Sequence, residues 1–385
     1  MRATQALIYL DRLKKNIEAV RNRIGPKPLI CMPVKADGYG HGAIPVAQEA
    51  LGSGVAVLAV ATVQEGIELR KAGITAPILL FSIPLPQELE ELVAAKLSPF
   101  IADKDSATAL AAAADRAGVR FPVHLKIDTG MGRVGCCPEA AAALAAYLVS
   151  LPSLQYVGTA THLARADSPL ADAVAYTKKQ LARFTQALDA IRTAGFDTGI
   201  VHAANSGAVF LHEDAYFDMV RPGIVLYGYP PSEELASLVQ LEPVMELRSS
   251  VVFIKKVSPG TPLSYGGTWI APEERMIATL PVGYGDGLPR SLSGNLQVLI
   301  RGTLYPLVGR ICMDQCMVDL GQNTDVRRWD PVTIFGGTGA ALTAGDLAAK
   351  LHTIPYEITG NINKRVPRVY CSGVGNGVLP IAYHE

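Results

Sequence analysis

PLICMPVKA, residues 28–36, is the first of eight short apolar runs that recur along the chain as far as residue 227. VAVLAVAT (55–62), APILLFS (76–82), LSPFIAD (97–103), PVHLKIDTG (122–130), YVGTATHL (156–163), GIVHAANS (199–206) and MVRPGIVLY (219–227) follow it. All are rich in Val, Ile or Leu, and Ala-rich amphipathic stretches long enough for a crossover helix separate most of them. That alternation is the pattern of a parallel sheet covered by helices. Eight β/α units predict a closed eight-stranded TIM-type (β/α)8 barrel. An open doubly wound sheet fits the same periodicity, but no GxGxxG follows the first run, which weakens it.

Beyond YGYPPSEE (227–234) the runs become shorter and more β-like, separated by Gly, Pro and Asn: VMELRSSVVFIKKV, RMIATLPVG, LQVLIRG, LYPLVGRI, CMVDLG and PVTIFG. The expected organisation is a barrel over 10–234 and a mainly β C-terminal domain over 235–385. Only LTAGDLAAKLH (342–352) within the latter has a helical pattern, with Thr343 as its cap.

A chain of 385 residues suits about two domains. Its 35 basic residues balance 35 acidic ones, so no net field recruits nucleic acid or an anionic membrane, and a small molecule is the expected partner. No signal-peptide pattern or membrane-length apolar stretch is present, so a cytoplasmic protein is expected. The six cysteines (Cys31, Cys136, Cys137, Cys312, Cys316, Cys371) match neither a disulfide scaffold nor CxxC and read as reduced thiols, with no metal site.

Catalytic groups of such barrels sit at the C-terminal ends of the strands, with phosphate often bound after strands seven and eight. There this sequence places its unusual residues: Lys35 after the first run, Arg133 after the fifth, His162 after the sixth, Asn205 and Ser206 after the seventh, and Arg221 to Ile224 in the eighth. A lysine inside a barrel mouth must desolvate its ammonium, which lowers its pKa or drives imine formation, so Lys35 is a Schiff-base candidate. It equally fits a lysine that merely reaches solvent. The NSG at 205–207 and RPGI at 221–224 supply hydroxyl and backbone N–H donors for a phosphate, although each alone also fits turn chemistry. His162 taken singly fits a core histidine, Arg133 a solvated charge, and Tyr265, Tyr284 and Tyr356 packing aromatics. His41 and His202 carry no stronger signal than a structural one.

VKADGYGHG, KIDTGMGRVG, THLARAD, HAANSGA, VRPGIVLYG, SYGGTW, PVGYGDGLPR, GRICMDQ, PYEI and KRVPRVY, in this order, closely resemble the motif series of bacterial alanine racemases. The resemblance runs from about residue 5 to Tyr370. It implies pyridoxal 5'-phosphate as cofactor, a barrel followed by a β domain that the N-terminal strand (1–9) joins, and a homodimer with shared active sites. It further implies that Lys35 holds the cofactor and serves as the base for the D substrate, and that Tyr265 serves from the opposite face for the L substrate. His162 would link Tyr265 to Arg221, which would face the pyridine nitrogen. A guanidinium there, unlike a carboxylate, leaves that nitrogen largely unprotonated and disfavours transamination.

By the same resemblance, Tyr39, Asn205, Ser206, Gly223, Ile224 and Tyr356 belong to the cofactor site, and Arg133 contacts the cofactor's phenolic oxygen and the substrate. Met313 and Asp314 match a segment near the substrate carboxylate, and Lys126 a lysine that some members carry carbamylated. The implied reaction interconverts L- and D-alanine, supplying D-alanine for peptidoglycan. A serine or broader-specificity racemase is the nearest alternative, and Tyr356, large where serine-preferring relatives are small, favours alanine. SYGGTW and GRICMDQ argue against a non-catalytic pyridoxal-phosphate carrier, and Arg221 against a decarboxylase.

Overall fold

The computed structural model describes residues 2–336, 342–372 and 379–380. The chain forms two compact units: Leu13–Gly38 with Ala43–Leu241, and Met1–Arg12 with Tyr39–Gly42 and Glu242–Glu385. Strand β1 (Gln5–Tyr9) belongs to the second.

The first unit is built on eight parallel strands: β2 (Leu29–Pro33), β3 (Val57–Val60), β4 (Ile78–Leu80), β5 (Leu97–Ile101), β6 (Phe121–Lys126), β7 (Leu154–Ala160), β8 (Ile200–His202) and β9 (Met219–Val220). Their order is β8-β7-β6-β5-β4-β3-β2-β9, each of the first six crossovers going to the adjacent strand. Flanking backbone brings the ends together. Asp218 N–H donates to Val201 O (3.0 Å), the Asp218 carboxylate accepts from Val201 N–H (2.8 Å), and Arg221 N–H donates to Ala204 O (2.8 Å). The sheet is therefore a nearly closed barrel rather than an open one. Cys31, Ala59, Leu79, Phe100, Ala160 and Met219, one from each of six strands, form a buried layer inside it.

The eighth apolar run is only partly a strand. Pro222 has no N–H to give the ladder, and after it Gly223 (φ −104°, ψ −96°) turns the chain into a 3-10 helix at Ile224–Tyr227.

The second unit contains β10 (Met245–Ser250), β11 (Phe253–Val257), β12 (Pro262–Leu263), β13 (Trp269–Ile270), β14 (Arg275–Leu280), β15 (Gln297–Ile300), β16 (Thr303–Val308), β17 (Cys316–Asp319), β18 (Pro331–Phe335), β19 (Arg368–Ser372) and β20 (Leu379–Pro380). All but β12 and β13 join one sheet with β1, in the order β11-β14-β17-β16-β15-β18-β10-β1-β19-β20. β1 pairs antiparallel with β10 and parallel with β19. VMELRSSVVFIKKV is two strands rather than one, and they lie far apart in that order. Thr343 caps the helix Ala344–Lys350 through a reciprocal box with Asp346. A second helix, Pro355–Gly360, has proline at its start and is too short for its period to show in the sequence. Most of the tail after Tyr370 lies outside the described residues. Among the described residues no helix is long and apolar enough to cross a membrane.

Candidate active site

His124 and Lys126 are two apart on β6 and so point to the same face, the barrel interior. Both are buried, at 7% and 6% exposure. Opposite His124 stands Gly158 of β7, where a Cβ would lie 2.3 Å from His124 Nδ1, so the histidine fits only because its neighbour has no side chain. His202 ends β8 beside them, and Arg221 follows β9.

These groups form one chain. Arg221 Nη1 donates to His202 Nδ1 (2.7 Å), and its Nη2 donates to Thr161 O (2.6 Å) and Ala203 O (3.0 Å). A guanidinium accepts nothing, so His202 Nδ1 must be the acceptor. Its proton then sits on Nε2, which lies 3.1 Å from His124 Nδ1 and donates to it. Burial, reinforced by Arg221, pushes His124 down to about 4 and His202 well below its usual value, so both rings are neutral. Arg221 is pushed by burial to about 10 and keeps its charge.

The resemblance pointed to His162 as the partner of Arg221. Arg221 hydrogen-bonds His202, a partner that the resemblance does not name. His162 lies close enough for Arg221, Lys126, Arg133 and Lys35 to disfavour its protonation, after burial itself, but its backbone carbonyl is what the protein holds, by a 3.1 Å bond from Gln180 Nε2.

Lys35 follows β2 and Val34. Burial and then Arg133 lower its pKa, while Glu65 opposes them. The backbone after it is left-handed: Ala36 (φ 51°), Asp37 (φ 53°), Gly38 (φ 62°) and Tyr39 (φ 54°). For the three non-glycine residues this costs roughly 1–2 kcal/mol each. Local bonds offset it. Ala36 N–H donates to Glu65 Oε1 (2.6 Å), Gly38 N–H to Val34 O (2.8 Å), and Ala43 N–H to Asp37 Oδ1 (2.9 Å). Glu65 Oε2 simultaneously accepts from Ala61 and Thr62 at the start of helix Val63–Lys71. One carboxylate thus caps a helix and fixes the peptide that follows Lys35.

The loop carrying Arg133 wraps around Asp128, whose Oδ1 accepts from the N–H groups of Gly130, Met131 and Gly132 at 2.9–3.1 Å. Lys126, at its base, is pushed down to about 7, by burial first and then by Arg221. Among the described residues Lys35, Lys126, Arg133 and Arg221 form no ion pair with a carboxylate. The nearby carboxylates, Glu65 by Lys35 and Asp128 by Lys126, are engaged by backbone N–H groups, and the excess of cations makes a place for an anion.

Two short helix starts supply further donors. Gly223 N–H donates to Ser206 Oγ (2.8 Å), which ties the start of Ile224–Tyr227 to that of Ser206–Leu211. The first N–H groups of each have no intrahelical acceptor, an arrangement suited to phosphate. Asn205 is held by the fold, its Oδ1 capping Ala208 N–H (3.1 Å) and its Nδ2 donating to Leu163 O (3.1 Å), and so shapes this cradle.

The remaining candidates are in the second unit. Tyr39 and Tyr356 pack with ring centroids 5.4 Å apart, and burial raises the Tyr39 phenol further above neutrality. His41 is fully buried, with Nδ1 3.0 Å from Tyr39 O. Tyr265 is 69% exposed on a turn entered through Ser264, whose φ is +63° and whose Oγ donates to Arg310 O (2.6 Å). Met313 is 52% exposed; its carbonyl accepts from Gly285 N–H (2.8 Å). Asp314 pairs with Arg365 (2.5 Å), which also pairs with buried Asp286 (3.0 Å).

A parallel barrel with a cation-lined mouth, in a chain that also forms a mainly antiparallel β unit, defines a two-domain barrel protein. Two family models match the chain, alanine racemase N-terminal domain over 8–231 and alanine racemase C-terminal domain over 244–370. The alanine racemase of Treponema denticola is 48% identical over 96% of this chain and 98% of its own length, and that of Treponema pallidum 46% over 96% and 100%. Among solved structures, the alanine racemase of Clostridium difficile superposes with a TM-score of 0.93 at 37% identity, covering 98% and 97% of the two chains. That of Bacillus anthracis, solved with bound L-Ala-P, gives 0.91 at 34% identity over 100% and 98%. The chain belongs to the alanine racemase family, and the enzyme is an isomerase.

Proposed function

We propose that this isomerase interconverts L- and D-alanine with pyridoxal 5'-phosphate, using Lys35 and Tyr265 as opposed proton carriers in a homodimer. The observation that carries this is the gathering of Lys35, Lys126, Arg133 and Arg221, none of them ion-paired among the described residues, together with the paired helix starts at Ser206 and Ile224. A dianionic phosphate and a phenolic oxygen are suited to that donor set. Ser206, Gly223 and Ile224 would hold the phosphate, with Tyr39 and Tyr356 as further contributors, and Arg133 the phenolic oxygen. Bound there, the cofactor would supply electron withdrawal that acidifies the α C–H of the amino acid.

The chain's own residues do the rest. Lys35, whose amine burial already disfavours protonating, would hold the cofactor and carries a proton at Nζ on one face of Cα. The Tyr265 Oη carries the proton on the other face, because inversion requires removal from one side and return on the opposite one. Arg221, held by three acceptors, would meet the pyridine nitrogen with a guanidinium, which has no proton to give up to it. Arg133 neutralises the substrate carboxylate. Asp314, already paired with Arg365, positions the Met313 backbone rather than meeting a like charge itself. Lys126, near 7, has a large neutral fraction at physiological pH, the form that adds CO2, and so suits carbamylation beside Arg133.

The exposed Tyr265, Tyr284 and Met313 suit burial by a second copy, with each Tyr265 serving the partner's barrel. The product D-alanine suits a supply role for peptidoglycan in the cytoplasm. Proton magnetic resonance in D2O tests the reaction: with pyridoxal phosphate present, L-alanine should exchange its α-hydrogen and racemise far faster than L-serine. Cofactor binding without α-exchange in either amino acid would overturn it.

A further inference from the structure

Helix Ala171–Thr193 turns a polar stripe toward the barrel loops. Tyr176, Gln180 and Arg183 are spaced by four and three residues and therefore share one face. Tyr176 Oη donates to Gly130 O (2.7 Å), and Arg183 Nη1 donates to Thr129 O (3.1 Å). Gln180 lies between them at 1% exposure. Its Nε2 donates to Thr129 Oγ1 (3.3 Å) and to His162 O (3.1 Å), and its Oε1 accepts from Ala164 N–H (2.9 Å). Thr129 Oγ1 and Thr161 Oγ1, 2.8 Å apart, complete the link. A glutamine so deep in a barrel helix is costly unless satisfied, and both polar atoms of this side chain are satisfied by the two loops, which run on past the last β6–β7 pair, Lys126 and Ala160.

We infer that Gln180 is a positioning residue of the reaction, which with Tyr176 and Arg183 holds the loop of Arg133 in register with that of His162. The inference rests on the proposed role of Arg133. Gln180 touches no reacting atom in this account; it acts through the loop that ends in Arg133. Asp128 gives that loop its curvature from within, and the helix fixes where the curved loop points. A small displacement of the guanidinium is enough to weaken its hold on a carboxylate.

The test uses full-length protein and two readouts. In Gln180→Met, which keeps the bulk and removes all three bonds, KM for L-alanine should rise about tenfold. Amide hydrogen exchange across residues 128–135 should accelerate in the same variant without cofactor, while exchange in β2–β4 is unchanged. In an Arg133→Ala background the Gln180→Met substitution should add little further to KM, because the residue it acts through is gone. Tyr176→Phe removes one hydroxyl without disturbing the core and should move KM and loop exchange in the same direction by a smaller factor. If Arg133→Ala leaves KM unchanged, the role given to Arg133 fails. If Arg133→Ala raises KM but Gln180→Met either leaves it alone or multiplies it independently, the positioning inference fails and the role of Arg133 stands.

Discussion

The barrel mouth and the Tyr265 face of the β unit differ in how their functional groups are held. In the barrel, Arg221, His202 and His124 are buried and joined by hydrogen bonds, and the backbone after Lys35 is locked in a left-handed turn by Glu65 and Asp37. In the β unit, Tyr265, Tyr284 and Met313 are 69%, 42% and 52% exposed. One region is preorganised by its own unit. The other offers side chains outward from a turn that Ser264 ties to Arg310, which suits the proposed service to a partner's barrel.

Lys35→Ala should have the largest effect. It removes both the proposed attachment point and one proposed proton carrier, so visible-range absorbance with added pyridoxal phosphate should change form and racemisation fall by at least about 10³-fold. Retained turnover would show that the barrel side of the contrast is wrongly assigned. Tyr265→Phe comes next, with a loss on the order of 10²–10⁴. In D2O, α-exchange of L-alanine should fall far more than that of D-alanine, and equal losses from the two enantiomers would deny Tyr265 a single face.

The buried histidines set an intermediate effect on stability. His124 falls from an ordinary 6.5 to about 4 on folding, so between those values the unfolded chain binds the extra proton. Stability therefore rises with pH through that window, is fully present above about 6.5, and is lost as pH falls toward 4. His124 alone contributes on the order of 3 kcal/mol. Denaturant melts from pH 8 to 4 should show this slope, and His124→Asn should flatten it. The smallest effect is expected from Glu65→Gln. It removes the negative charge that raises the Lys35 pKa, so imine formation with added pyridoxal phosphate should begin at lower pH. An unchanged titration would confine Glu65 to helix capping.

The barrel was legible because its strands are apolar runs with clear spacing, and the order of β2 to β9 follows those runs one for one. What was hidden depends on contacts between distant segments. His202 has the same look in sequence as any core histidine at a strand end, and only the approach of Arg221 distinguishes it. Gln180 sits in an ordinary amphipathic helix, and its three bonds reach back to residues 129, 162 and 164. Asn205 is marked by its motif, but a cap and a ligand-binding amide are written identically. Helix Pro355–Gly360 spans under two turns, too few for periodicity to register.

Mixing two inactive variants tests the shared site most directly. Lys35→Ala and Tyr265→Phe proteins, unfolded together and refolded, form some dimers in which one site has both Lys35 and the partner's Tyr265 intact. Random pairing should restore roughly a quarter of wild-type activity, since half the dimers are mixed and each has one complete site. No recovery from mixed dimers, demonstrated by differential tagging, would contradict the account and place both groups within one chain's own site.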